Sequence, residues 1–354
     1  MSTPDPTAGL VVVNTRPPNA ESPAAALAHA VTPSAAVYLR TNFGVPDAGA
    51  VGGHLDVGGA VERPLRMAWD ELRALPQRTV TVTMECAGND RLAVRPLPDG
   101  EPWHTGAVST VEWTGVPLAD LLGMAGVRDD AVEVLAAGAD AGPRADSGSA
   151  DPVRFARSLP RGDALAPDTL VALAMNGAPL PSAHGAPARL VVPGWYGMAS
   201  VKWLTRLDAL LAPYDGYFQR RRYVYDDGSG DPAGVRPVGR MRVKSAVVAP
   251  ADGGRVPRGD VRVWGWAWSG HGAITEVAVS HAAGGAWRPA RLEPGASPHA
   301  WTRWEATVRL DAPGRAVLRS RARDASGAVQ PEVPPWNRLG YGNNAVRAVV
   351  VDVV

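Results

Sequence analysis

Met84-Glu85-Cys86-Ala87-Gly88-Asn89-Asp90-Arg91 carries the only cysteine in the chain. A thiol at the mouth of a strand, followed by a small-residue loop and an arginine, reads as an exposed sulfur with a cation near enough to lower its pKa and favour thiolate. A thiolate serves as nucleophile or soft-metal ligand, and a single one holds a metal only when a cofactor brings the other soft ligands. A buried, inert core thiol is the other reading, and the residue types leave both open. One cysteine excludes an internal disulfide and the zinc sites built on two or four cysteines. The seven histidines (His29, His54, His104, His184, His271, His281, His299) form no close ligand pair. No phosphate loop, dinucleotide glycine fingerprint, HExxH or GxSxG motif is present.

The elements that must hold this loop are legible nearby. Val80, Val82 and Met84 alternate with Thr79, Thr81 and Thr83, which predicts a strand running into Cys86. Leu118 to Gly126 reads as a short helix stopped by glycine, and Arg189-Leu190-Val191-Val192 as a buried strand ended by Pro193-Gly194. This first part is α+β, with many loops. Pro213 to Gly239 reads as a long connection, and the turn-rich Gly228 to Gly234 stretch places a boundary near Val235. The expected domains are therefore 1–235 and 236–354.

Beyond the boundary the pattern changes to short strands between Gly, Pro and Asp turns: Val261 to Trp268, Thr275 to Ser280, Thr307 to Leu310 and Val317 to Ala322. That is the signature of an all-β, immunoglobulin-like sandwich. Seven of the 12 tryptophans fall here (Trp264, Trp266, Trp268, Trp287, Trp301, Trp304, Trp336), and core or interface packing is their expected role.

Composition bounds the rest. With 354 residues, 45% of them hydrophobic, the chain can bury two cores, and a net charge of +1 without a basic stripe argues against nucleic-acid binding. Only Lys202 and Lys244 among the 36 basic residues are lysines. The N-terminus, Met1 to Pro6, shows no signal peptide or twin arginine, and the longest uncharged stretch, Thr169 to Ala188, is broken by prolines. A cytoplasmic protein without a membrane span is the expectation.

Cys86-Ala87-Gly88-Asn89, together with the block from Gly106 to Leu118, resembles the sulfite oxidase family of molybdenum enzymes. So do Met175 to Pro181, His184-Gly185, and Leu190 to Gly197 leading into Ser200-Val201-Lys202-Trp203-Leu204. The resemblance runs from Asn19-Ala20-Glu21 to the Trp336–Asn344 block, nearly the whole chain. It implies the family's fold, an α+β molybdopterin-binding domain followed by an immunoglobulin-like dimerisation domain, and hence a homodimer. It also implies that Cys86 ligates molybdenum held by the dithiolene of a single molybdopterin. Tyr38-Leu39-Arg40-Thr41-Asn42 matches the segment lining the cofactor, with Arg40 also facing substrate. Asp140 matches a pterin-contacting aspartate, and His184, Arg189, Ser200, Val201 and Lys202 match residues that hold the pterin and its phosphate, where cationic donors are required. Tyr223, in the Phe218–Tyr223 block, matches the tyrosine beside the metal. No haem domain precedes the molybdopterin part, so an external acceptor such as a cytochrome is implied.

Three departures bear on substrate. Asn42 stands where sulfite-oxidising members have histidine, Asp90 where they often have the first of two arginines, leaving Arg91, and the loop at Ser269–Ile274 offers only His271 where the animal enzymes have arginine. Sulfite is a small dianion whose desolvation must be offset by positive donors. One reversed charge about 4 Å away is worth roughly 4 kcal/mol at an effective dielectric of about 20. An inward Asp90 would cripple sulfite binding and an outward one would change little. The leading expectation is oxidation of sulfite to sulfate, with Arg40 and Arg91 holding the anion, Tyr223 ordering it and Cys86 setting the metal's electronics. The alternatives are the same cofactor acting on another oxyanion, a sulfoxide or an organic sulfur compound, in the reductive direction included, and a non-catalytic binding module.

Overall fold

The computed structural model describes residues 5–281 and 285–354; Met1 to Pro4, part of the N-terminal stretch read above, lie outside the described residues. Strands dominate both parts, and the longest α-helix is the eight-residue Leu118–Ala125. The α+β expectation holds with less helix than its name suggests, because Gly and Pro punctuate the chain too often for long helices to propagate.

The alternating Thr/Val segment forms the Arg78–Glu85 strand, paired antiparallel with Val108–Pro117. Val108–Pro117 pairs in turn with Leu170–Met175, which also carries Arg189–Val191. The Leu118–Ala125 helix follows directly and ends at Gly126, whose φ of 68° and backbone N–H to the Gly123 carbonyl make it a left-handed stop. A second five-stranded sheet runs Leu65–Ala68, His54–Gly59, Leu204–Leu210, Glu133–Gly142, Val153–Pro160, antiparallel except for the central pair of His54–Gly59 with Leu204–Leu210.

The 213–239 connection is more structured than its composition predicts. Phe218–Arg222 forms a π-helical turn, and Val224–Tyr225 pairs with Arg236–Pro237. The fully buried Arg157 explains this: its guanidinium donates to the carbonyls of Phe218 (2.5 Å) and Val238 (2.8 Å), tying both ends of the segment to the Val153–Pro160 strand.

From residue 244 two sheets face each other. One runs Lys244–Ala249, Gly259–Trp268, Thr302–Leu310, Arg291–Glu293; the other runs Arg255–Val256, Ala348–Val353, Gly314–Asp324, Ile274–Ser280, Arg288–Pro289. Val263, Val277, Trp304, Leu318 and Val351 fill the space between them. Trp266, Trp268 and Trp301 instead join the larger core of the first part; Trp336 departs from the packing role, being 37% exposed. Among the described residues, no helix is long and apolar enough to cross a membrane.

Candidate active site

Cys86 follows the last residue of the Arg78–Glu85 strand, and its backbone N–H donates to the Ala107 carbonyl (2.8 Å). Contrary to the exposed sulfur expected from sequence, Cys86 is only 7% exposed. Burial pushes its thiol pKa up, and Arg40 and Arg91 pull the other way without prevailing.

A cavity opens over the sulfur. It is lined by Cys86 and by Tyr38, Arg40, Thr41, Asn42, Asp140, His184, Arg189, Ser200, Lys202 and Tyr223. Leu39 and Val201 do not line it: Leu39 is a backbone partner of Ala20, and Val201 is a fully buried core residue. Arg91 is also absent from the lining. Its Nε donates to the Leu339 carbonyl (2.9 Å) and a terminal nitrogen to the Glu101 carbonyl (2.6 Å), which holds the guanidinium beneath the loop and against the Tyr341 ring.

One group of lining residues is an unusual collection of cations. Arg189 is 5% exposed, stacks 4.7 Å from the Trp113 ring, and donates to the carbonyls of His184 and Ser200; its Nε is buried without a partner. Lys202 donates to the Ala183 carbonyl (2.8 Å) and lies 4.1 Å from the Trp203 ring. Burial lowers Arg189 to about 10, pushes Lys202 well below its ordinary value, and, with Lys202 and Arg189 adding repulsion, takes His184 to about 3. Asp140 is the acidic member of the lining; burial raises it to about 6 against the pull of Lys202, and its Oδ1 is buried and unpaired.

Glycines keep this region open. A Cβ on Gly138 would meet Asp140 Oδ1 and the Lys202 carbonyl, both at 2.6 Å, and one on Gly197 would meet the Tyr38 hydroxyl at 2.6 Å. Trp203 takes a φ of 50°, a left-handed conformation costly for so bulky a residue.

The other group surrounds Arg40. Its guanidinium donates to Asn19, to the Thr41 carbonyl and to Asn42 Oδ1 (2.8 Å), while the Asn42 amide donates to the Tyr223 hydroxyl (3.3 Å). Asn42, standing where the resemblance leads one to expect histidine, thus bridges Arg40 to Tyr223.

Asp90 points neither into the cavity nor into solvent. It is fully buried at φ 66° and ion-paired with Arg347. His271 is exposed.

Sequence reasoning missed Met84, Ser109, Trp113, Phe155, Met198 and Trp203 as lining residues. Trp113 and Trp203 sit inside the recognised blocks, which was the available signal; Phe155 had none.

The site suits a group with an anionic phosphate and a metal that brings most of its own ligands. The cations have no carboxylate ion pair among the described residues, and burying them so is unfavourable until an anion joins them. Among the described residues no three His, Cys, Asp or Glu side chains group to hold a metal, so the protein offers one a single thiol here.

Comparisons with known proteins agree. The family model described as oxidoreductase molybdopterin binding domain matches residues 43–218, and the one described as Mo-co oxidoreductase dimerisation domain matches residues 236–354. Sulfite oxidase of Gallus gallus is 37% identical, the match covering 95% of this chain and 76% of that protein. Mitochondrial sulfite oxidase of Rattus norvegicus is 36% identical, covering 96% of this chain and 65% of that protein. The crystal structure of the sulfane dehydrogenase SoxCD from Paracoccus pantotrophus superposes with a TM-score of 0.81 at 29% identity, covering all of this chain and 88% of the other.

Proposed function

The chain belongs to the sulfite oxidase family of molybdopterin-dependent oxidoreductases, and from that membership we propose that it oxidises sulfite to sulfate and passes the electrons to an external acceptor such as a cytochrome. It is an oxidoreductase whose cofactor is molybdenum carried by molybdopterin. When bound, that group supplies oxygen-atom transfer coupled to two-electron redox chemistry.

The chain's own residues do the rest. Cys86 gives its thiolate to the metal. His184, Arg189, Ser200 and Lys202 hold the pterin and its phosphate, with Asp140 as the acceptor, and Arg189 and Lys202 are supported on the faces of Trp113 and Trp203. Arg40 holds the substrate anion, and Asn42 keeps Tyr223 in line with it. The observation that carries this reading is the set of buried cations, without a carboxylate ion pair among the described residues, in the same cavity as the one thiol. Arg91 acts at one remove, packing behind the Cys86 loop and Tyr341.

Other parts of the reading follow the same membership: a boundary near Val235, an immunoglobulin-like second domain and a homodimer formed through it; the cytoplasmic location expected from sequence draws no support from it, the rat relative being named mitochondrial. Sedimentation as a monomer at micromolar concentration would remove the dimer.

A second reading keeps the cofactor and changes the substrate to another oxyanion, a sulfoxide or a reduced sulfur compound. Asn42 and the likeness to a sulfane dehydrogenase favour it. One experiment separates the two. Purified protein is expected to contain molybdenum at one per chain and to show reduced-cofactor absorbance on anaerobic addition of sulfite; metal without that bleaching selects the second reading. Cys86→Ser is expected to abolish turnover, and unimpaired activity in it would remove Cys86 as the ligand.

A further inference from the structure

If sulfite is the substrate, its charge poses a problem that the residues expected from sequence leave unsolved. Asn42 is neutral, Asp90 is turned to Arg347, Arg91 is spent on two carbonyls, and His271 is at the surface. Of the cations assigned to substrate, Arg40 alone lines the cavity. A single guanidinium, itself hydrogen-bonded to three protein oxygens, is a poor match for a dianion.

Two further arginines, left without a role by the sequence, stand just outside that lining, Arg144 bonded to the lining residue Asn42 and Arg222 next to the lining residue Tyr223 in the chain. Arg144 lies just past the Glu133–Gly142 strand. It donates to the backbone carbonyl of Asn42 (3.1 Å) and to its Oδ1 (3.3 Å), and its guanidinium carbon sits 4.7 Å from the Phe43 ring and 5.7 Å from the Phe218 ring. Arg222 is the last residue of the Phe218–Arg222 π-turn, immediately before Tyr223. Its guanidinium has no hydrogen bond or ion pair among the described residues, and the Nε atoms of both arginines are buried and unpaired. Neither has a carboxylate within ion-pair distance among the described residues. The loop that bears Arg144 is latched to the π-turn, since the Tyr217 hydroxyl donates to Asp146 (2.7 Å) and Arg221 donates to the Asp146 and Ser147 carbonyls. Arg40, Arg222, Tyr217, Tyr223 and the Asp146 carboxylate act on Arg144, and Tyr341, Tyr223, Arg40, Tyr217 and Asp146 act on Arg222. Asp146 offsets part of this charge from the latch but forms no ion pair with either arginine among the described residues, so positive charge is left in excess at this rim for an anion to complete.

We propose that Arg144 and Arg222 gather the substrate anion at the rim of this cavity and fix its preference for a doubly charged oxyanion, replacing the charge that positions 42, 90 and 271 do not supply. The inference rests on the sulfite reading. It assigns both residues to binding, upstream of the chemical step, so their loss belongs in KM and in anion affinity while kcat is spared.

The test uses cofactor-loaded enzyme and the variants Arg144→Gln, Arg222→Gln and Arg222→Lys. Expected for each Gln variant is a KM for sulfite raised about tenfold or more with kcat within about threefold, and a flatter dependence of kcat/KM on ionic strength. Sulfate binding followed by calorimetry is expected to weaken by a similar factor, with Arg222→Lys close to wild type. Arg144 also anchors Asn42, so if Arg144→Gln loses metal or melts early, the unpartnered Arg222 pair decides. Sulfate affinity, KM and salt dependence unchanged in Arg222→Gln overturn the inference while leaving sulfite oxidation standing. Wild-type enzyme that neither binds sulfate nor is reduced by sulfite overturns the sulfite reading and the anion rim together.

Discussion

His184 shows how the cavity stores electrostatic work in the absence of its ligand. Burial first, then Lys202 and Arg189, lower its pKa from 6.5 to about 3. Between those values the unfolded chain binds a proton that the folded chain refuses, so the contribution of His184 to stability falls as pH drops through that window. Asp140 has the opposite sign: raised from 3.8 to about 6, it keeps its proton in the folded chain, and its contribution is lost as pH rises from 3.8 towards 6. Between about pH 6 and 4 the two slopes oppose and nearly cancel, so their combined effect on the melting temperature of cofactor-free protein is expected to be flat there; His184→Asn is expected to make it rise as pH falls, and Asp140→Asn to make it fall. Thermal scans from pH 4 to 8 check both slopes; parallel curves for His184→Asn and wild type would contradict the burial argument. The residues of this cavity were legible because they lie in ordered blocks, and the scarcity of lysine helped: Lys202 stands in the cavity and Lys244 beneath the Cys86 loop. Arg91 was misjudged because its fate is set by the carbonyl of Leu339, 248 positions away, which no local pattern encodes. Arg144 was missed because a loop arginine leaves no periodic trace.

The Glu85–Arg91 segment is an element of the first part held largely by the second. Lys244 Nζ lies 3.0 Å from Glu85 Oε1, and Trp268 Nε1 donates to Glu85 Oε2 at 2.9 Å. The Gly342 N–H donates to the Ala87 carbonyl, Asn343 to the Asp90 carbonyl, and Arg347 pairs with the Asp90 side chain. The loop carrying Cys86 thus rests on the Lys244–Ala249 and Gly259–Trp268 strands and on the chain just before Ala348–Val353. With side-chain exposures of 5% and 2%, the Lys244–Glu85 pair is fully desolvated, and removing one partner strands the other charge. Lys244→Met is expected to cost about 3–5 kcal/mol in denaturant unfolding, and adding Glu85→Gln to recover most of it. If the loop positions Cys86 as argued, Lys244→Met also changes the paramagnetic signal of the partly reduced metal at full metal content, which a merely destabilised scaffold would not do. The strand leading into the loop was readable from its period of two. The clamp was not, because it consists of single contacts between segments more than 150 residues apart.

At the scale of the whole molecule the tryptophans matter more than their count. Trp266 and Trp301 stack at 4.8 Å with their planes 10° apart. Each then reaches out of the sandwich, Trp266 donating to the Leu27 carbonyl (2.7 Å) and Trp301 to the Ala30 carbonyl (2.8 Å). Leu339 and Tyr341 enter the same core from the chain's far end. One apolar cluster therefore includes residues from Leu55 to Tyr341, while the sandwich keeps a smaller core of its own around Trp304. Two-domain chains often unfold in stages, but a shared core makes the first part depend on the docked second part for burial. Cofactor-free protein is accordingly expected to unfold in a single calorimetric transition. Trp266→Ala, which removes a large buried side chain and its hydrogen bond, is expected to cost about 3–5 kcal/mol and to lower that transition as a unit. Two resolved transitions in the wild type, or a Trp266→Ala effect confined to one of two steps, would show that the halves fold independently and that the support for the Cys86 loop is only local.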